Sequence, residues 1–309
     1  MAIKQFKKAT KQFSYLRLAL VGPAGSGKTY SSLRIAQGLG PRIALIDSER
    51  GSASKYADTF AFDTVVLDSF SPQDYMEAIQ IAVDAHYDVL IIDSLSHAWV
   101  GKGGVLEMHD AAAAQEKGGN SYTAWRVVTP EHNRLVDTIL QAPLHLIATL
   151  RSKIEYVQEK DERGKTVIRK VGLQPIQREG LDFEFDVVGD LDQMNRLVVT
   201  KTRCPALAQA VIRQPGEDMA RTLKAWLTDG APQPPQTVTE AQVKELWQIA
   251  QAHSLSVSDL TALVNQTLQT QYASPREITV PQWPEVLAAL QSRTPSTISR
   301  AVEAQDPAI

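Results

Sequence analysis

Through the first two thirds of the chain, short apolar runs alternate with stretches of helical periodicity. Residues 16–21 read as a strand, 29–38 as a helix and 42–46 as a second strand. Residues 72–85 read as a helix with Asp74 and Glu77 in its early turns, 89–92 as a third strand, 130–140 as a helix and 145–150 as a fourth strand. Strand, helix and strand at this spacing predict parallel βαβ units. The strands are continuous apolar runs, which suits a sheet covered on both faces.

Beyond residue 150 the pattern changes. Residues 154–157 and 166–171 flank the charged stretch EKDERGK, and together predict a projecting β-hairpin. Residues 186–191 and 196–200 read as late strands and 219–227 as a closing helix. The proline-rich stretch 230–237 reads as a linker. After it, Thr239 opens a helix with Leu246, Ile249 and Ala250 on one face, and further helices are predicted at 257–268 and 283–290. The expected organisation is an α/β core over 1–229, the linker, a small helical domain over 238–292 and a disordered tail over 293–309.

Composition narrows this picture. The chain has 309 residues, 43% of them hydrophobic, enough for a full core and a smaller second unit. A net charge of −3 excludes a uniformly basic nucleic-acid coat, so phosphate contacts would need local patches. The one cysteine, Cys204, excludes a disulfide framework and a cysteine zinc site. The opening MAIKQFKKATKQF has no apolar segment behind its charges, and residues 16–22 are too short to span a bilayer. A soluble, cytoplasmic protein without membrane contact is expected.

Candidate chemistry begins at GPAGSGKT, residues 22–29, which fits G-x-x-x-x-G-K-[ST] at every fixed position. It follows a strand and opens a helix, as a phosphate loop must. Gly22, Pro23, Ala24, Gly25, Ser26 and Gly27 would form the loop, whose backbone N–H groups, absent only at Pro23, would face phosphates. Lys28 would reach the β- and γ-phosphates, Thr29 would hold magnesium, and Tyr30 adjoins them in the helix. Asp93 ends the apolar run VLIID and is the expected second magnesium residue. The implied cofactors are ATP and Mg2+.

Asp47 and Glu49 lie at the end of the second strand, in IALIDSERGSA. A carboxylate there can orient and deprotonate an attacking water. The position after Asp93 is Ser94, which cannot act as such a base, so Glu49 is the candidate; a solvated loop acid is the plainer reading.

These segments resemble a RecA-type recombinase core. LIDSE at residues 45–49 is similar to that family's strand ending in the catalytic Glu, and Asp93-Ser94 to its Asp-Ser pair. ATLRSKIEYV is similar to the segment that begins a DNA-binding loop, with Arg151, Lys153 and Ile154 on the pattern. The resemblance implies that Lys201 and Arg203, in TKTRCP, supply cations to a neighbouring subunit's ATP. It also implies a γ-phosphate sensor at Thr149, where the family has glutamine; the shorter side chain departs from the pattern. The hairpin likewise departs from the glycine-rich loop of a cellular RecA. With GLQPIQREGLDFEFDVV at 172–188, the chain is most similar to short phage-encoded RecA-like ATPases of recombination and single-strand annealing.

Two regions are candidates for DNA. One is 102–122, a glycine-flanked stretch expected to be a flexible loop. The other is 151–178, with eight cations against four acids. Arg151, Lys153, Lys165, Arg169, Lys170 and Arg178 would meet phosphates, and Tyr156 a base. A solvated charged hairpin is the alternative. His86, His97, His109 and His132 lack metal-ligand spacing, and Trp99, Trp125 and Trp226 read as packing residues.

The expected activity is a DNA-dependent ATPase that assembles as a ring or filament on single-stranded DNA and promotes annealing or strand exchange. An ATP-switched loader, with the helical domain holding a single-strand binding or annealing protein, is an alternative. A small-molecule kinase is another, although LIDSE and TKTRCP would then lack a role.

Overall fold

The inner parallel strands of the central sheet send alternate apolar side chains to two separate cores. Leu18 and Leu20 of the first strand enter one core and Ala19 and Val21 the other; Val89 and Ile91 divide from Leu90 and Ile92 in the same way. A pleated strand alternates faces with a period of two, so a sheet buried on both sides must be apolar at every position. The molecule is described here from a computed structural model covering residues 8–115, 121–160, 166–229 and 237–292, with the side chains of 121, 154–160 and 166–173 outside the description.

In chain order the elements are β1 (Arg17–Gly22), α1 (Lys28–Leu39), β2 (Ile43–Asp47), β3 (Asp63–Val66), α2 (Pro72–Asp84), β4 (Val89–Asp93), α3 (His97–Val100), α4 (Val105–Gln115) and α5 (Ser121–Gln141). They continue as β5 (His145–Lys160), β6 (Thr166–Pro175), β7 (Val187–Leu191), β8 (Arg196–Thr202), β9 (Val211–Arg213) and α6 (Glu217–Thr228). The fold is α/β, with a mostly parallel sheet that has nine strands among the described residues. Its order is β3-β2-β4-β5-β1-β7-β8-β9, with β6 paired to β5. Strands β3, β2, β4, β5, β1 and β7 run parallel, while β8 runs antiparallel to β7 and β9 antiparallel to β8. One core holds Leu33, Ala36 and Leu39 of α1 with Leu223 and Leu227 of α6, and the other holds Tyr75 and Ile79 of α2 with Leu135 and Ile139 of α5.

Several expectations are corrected. Strand β3 was not predicted, because its four residues are exposed at the sheet edge and carry no buried pattern. The segment expected as a flexible loop is helical from Val105 to Gln115, since no glycine falls within those residues and Ala111 to Ala114 favour the helix. Helix α5 starts at Ser121 rather than near Pro130, which lies inside it. The predicted hairpin is continuous with the sheet: β5 is one 16-residue strand whose outer half pairs antiparallel with β6.

The chain divides into two compact units, Met1–Pro232 and Gln233–Ile309. The second contains α7 (Glu240–Ala252), α8 (Val257–Leu268) and α9 (Trp283–Gln291). Thr239 and Gln242 form a capping box at the start of α7, as do Ser256 and Asp259 at α8. Val243, Leu246, Leu260, Val264, Val286 and Leu290 make its own core. The linker over 230–236 and the tail over 293–309 lie outside the described residues. Among the described residues no helix is long and apolar enough to cross a membrane.

Candidate functional site

The loop after β1 must turn tightly to launch α1, and its glycines permit the turn. Gly27 precedes α1 at φ 83°, the left-handed region, where a side chain is strained. A Cβ on Gly22 would meet the Leu191 carbonyl oxygen at 2.6 Å. Helix α1 has neither a side-chain N-cap nor an acid in its first turn. Its first N–H groups and partial positive charge are therefore left for an anion.

Lys28 folds back over the loop, its Nζ donating to the carbonyls of Gly22 and Pro23, each at 2.9 Å. Burial lowers its pKa, opposed by the nearby Asp93 and Glu49 carboxylates. Ser26 Oγ is buried without a hydrogen-bond partner among the described residues. An uncapped helix start, a buried cation and an orphaned hydroxyl fit a phosphate chain. Asn195 braces the loop from the β7–β8 turn, its Nδ2 donating to the Ser26 carbonyl at 2.9 Å. No sequence motif marks Asn195; its left-handed φ of 56° belongs to a turn residue.

Asp93 is the hub of the site. Thr29 Oγ1 donates to its Oδ2 at 2.6 Å and Thr149 Oγ1 to its Oδ1 at 2.5 Å. Burial raises the Asp93 pKa, and the two threonine hydrogen bonds oppose the rise. Among the described residues no group of three or more His, Cys, Asp or Glu could hold a metal ion. Thr29 beside Asp93 suits magnesium, which binds through one or two carboxylates and substrate phosphates.

The two acids at the end of β2 have separate surroundings. Asp47 is fully buried, and its oxygens accept from the Glu49 and Ala53 amides at 2.6 and 3.2 Å. It shapes the turn that carries Glu49. Glu49 itself meets Arg151, whose Nε and Nη2 lie 2.9 and 2.8 Å from its Oε1.

Ser48, between the two acids, joins β2 to β4. Its Oγ accepts from the Ser94 amide at 2.7 Å and lies 2.7 Å from His97 Nδ1. Tyr75 donates to the Ser94 carbonyl at 3.0 Å. Burial and then Arg151 lower the His97 pKa. His97 therefore belongs to the site, though its sequence spacing gave no sign of it.

Tyr30 follows Thr29 and meets Tyr56 and Phe60 edge-on, with ring centroids 5.6 and 5.2 Å apart. Tyr56 and Phe60 lie too far along the chain for a local pattern to group them with the loop.

Lys201 and Arg203 stand elsewhere. Thr202, between them, pairs with Val187, and β7 brings Val187 level with Leu18, four residues before Gly22. Along a strand this separates them from the loop by about 13 Å. Lys201 Nζ donates to the carbonyls of Asp182, Phe183 and Phe185. Arg203 pairs with Asp186 at 3.0 Å and is largely exposed.

Of the residues expected to meet DNA, Arg151 lies beside Glu49, Lys153 is exposed, and Arg178 is half-buried near enough to His132 to reinforce the lowering of its pKa by burial. Lys165 and the side chains of Tyr156, Arg169 and Lys170 lie outside the described residues.

The AAA domain family matches residues 14–230, more than half of the chain. No curated protein matches it.

Proposed function

The chain belongs to the AAA domain family, so it has a nucleotide-binding P-loop ATPase domain, and on that premise we propose a single-stranded-DNA-stimulated ATP hydrolase that acts as an oligomer in recombination. The observation that carries the DNA half of this reading is the course of β5. It lies between β1 and β4, the strands that end in the phosphate loop and Asp93, and continues past Arg151 into the β5–β6 arm. The sequence from 151 to 178 carries twice as many cations as acids, a source of phosphate affinity in a chain of net negative charge.

In this reading Gly22 to Gly27 and the start of α1 cradle the phosphates, and Lys28 leaves the loop carbonyls for the β- and γ-phosphates. Tyr30 and Tyr56 offer ring surfaces to the base. Thr29 and Asp93 hold Mg2+, which when bound neutralises charge across the β- and γ-phosphates. Glu49 takes a proton from water as its oxygen bonds to the γ-phosphorus. The bridging P–O bond breaks, and its electron pair leaves with ADP. Thr149 orders Asp93 and, through it, reports the occupied site to β5.

Lys201 and Arg203 are far from their own loop and act on a neighbour's ATP, Lys201 by first leaving its three carbonyls. Resemblance to short phage-encoded RecA-like ATPases supports annealing or strand exchange. It also supports assembly as a ring or filament, with the helical unit binding a single-strand binding or annealing protein.

The test is ATP turnover with and without single-stranded DNA, with Lys28→Ala as control. Stimulation that disappears in the control supports the reading. Turnover indifferent to DNA in an active enzyme rejects it and favours an ATP-switched loader, whose partner site would be sought on the helical unit.

A further inference from the structure

Arg151 occupies a junction. It is the last residue of β5 in parallel register, opposite Gly22; the next residue, Ser152, already pairs antiparallel with Pro175 in the arm. Its backbone is pinned on both sides: its amide donates to Ser96 Oγ at 2.9 Å, and its carbonyl accepts from the Ile176 amide at 2.7 Å. The freedom left at this position is in the side chain. That side chain is 45% exposed, and two of its nitrogens converge on Glu49 Oε1.

Glu49 is tethered in a complementary way. Its amide is held by Asp47, and the turn continues through Arg50 and Gly51 in left-handed conformations, φ 57° and 79°. The backbone is set and the carboxylate is turned to β5. A guanidinium fits a carboxylate and a phosphate equally well. These two nitrogens cannot hold Glu49 and a backbone phosphate at once.

We propose that Arg151 is a latch on the ATPase, holding Glu49 in an idle position until a phosphate of the nucleic-acid backbone takes the guanidinium. The proposal rests on the reading of Glu49 as the water-activating group, and it assigns Arg151 a positioning role. Nucleic acid on the arm then frees Glu49 through one side chain, with no rearrangement of the sheet.

Magnitude sets the kind of switch this is. A partly exposed ion pair contributes up to about 1 kcal/mol. At 1.4 kcal/mol per tenfold, that is about fivefold in the population of free Glu49. The latch is thus a dimmer of the basal rate; the rest of any stimulation must come from assembly.

The experiment compares full-length wild type, Arg151→Ala, Arg151→Lys and Glu49→Gln in steady-state ATPase assays. Each is assayed at low and high salt without DNA, then with single-stranded DNA. Thermal melts verify that each variant is folded, as expected for an exposed pair. Without DNA, Arg151→Ala is expected to turn over about fivefold faster than wild type, with Arg151→Lys between them. Salt should raise the DNA-free rate of wild type, by screening the pair, and leave Arg151→Ala unchanged.

A DNA-free rate in Arg151→Ala at or below wild type overturns the latch, a lower rate meaning that the pair positions Glu49 productively. Full turnover in Glu49→Gln rejects the catalytic reading of Glu49 and the latch with it. If Arg151→Ala is faster while wild type ignores DNA, the idle position of Glu49 stands and nucleic acid as its release is rejected.

Discussion

Thr149 and Asp93 face each other on neighbouring strands, hydroxyl to carboxylate at 2.5 Å. The bond ties the strand that forms the arm to the acid that ends β4. Losing one hydrogen bond to a buried charge costs roughly 1–3 kcal/mol.

Replacing Thr149 with valine keeps the volume and removes the donor. Asp93 then keeps only the Thr29 bond, and its raised pKa rises further, since a lost donor no longer favours the charged form. The Mg2+ concentration giving half-maximal ATPase should rise by about fivefold or more, consistent with 1 kcal/mol or above. A magnesium titration of Thr149→Val measures this. An unshifted midpoint counts against Asp93 as the magnesium residue.

Asn195 supports the phosphate loop from outside it. Asn195→Gly tolerates the left-handed backbone, φ 56°, and removes the bond to the Ser26 carbonyl. ATP affinity should fall about fivefold, the equivalent of one ordinary hydrogen bond. A fluorescent nucleotide titration measures the affinity, and a thermal melt should show little change. Asn195→Ala keeps a Cβ in the same conformation, so its melting temperature should fall as well.

His145 makes stability depend on pH. It is buried, and its Nδ1 accepts from the Leu16 amide at 3.1 Å, so the imidazole is needed neutral. Burial, with Arg17 and Lys224 nearby and Asp88 opposing, lowers its pKa to about 4. The unfolded chain takes up this proton near pH 6.5 and the folded chain only near 4. This contribution is therefore complete above pH 6.5 and is lost as pH falls towards 4. Between pH 7.5 and 5 the loss is roughly 2 kcal/mol. Urea unfolding at the two pH values, repeated with His145→Gln, measures it; the variant should show a flatter dependence. Equal slopes would falsify the assignment to His145.

The legible parts of the molecule were those whose physics is local. β1, β2 and β4 are apolar at successive positions because both faces are buried, and GPAGSGKT has its chemistry in one turn. Thr239 and Gln242 likewise mark the start of α7 within four residues. What escaped was made by register. Arg151 meets Glu49 across 102 residues because β4 lies between β5 and β2 and aligns Ala148 with Ile92 and Asp93 with Asp47. Asn195 reaches Ser26 because β7 lies beside β1. His97 reaches Ser48 because β2 and β4 end level, at Asp47 and Asp93. β3 escaped for the opposite reason: at the edge, its exposed side chains bear no burial pattern. The separation of Lys201 from the phosphate loop follows from β8 running backwards, and no sequence motif carries strand direction.

The first strand of this protein must wait for the middle of the chain. β1 lies between β5 and β7, and its Arg17 guanidinium donates to the carbonyls of Leu140, Ala142 and Leu144. Until those partners are synthesised, an apolar strand has both edges open. A nascent chain must extend past Leu191 before β1 has both neighbours in place. The element that begins the phosphate loop is thus made before both of its sheet neighbours and secured only after them.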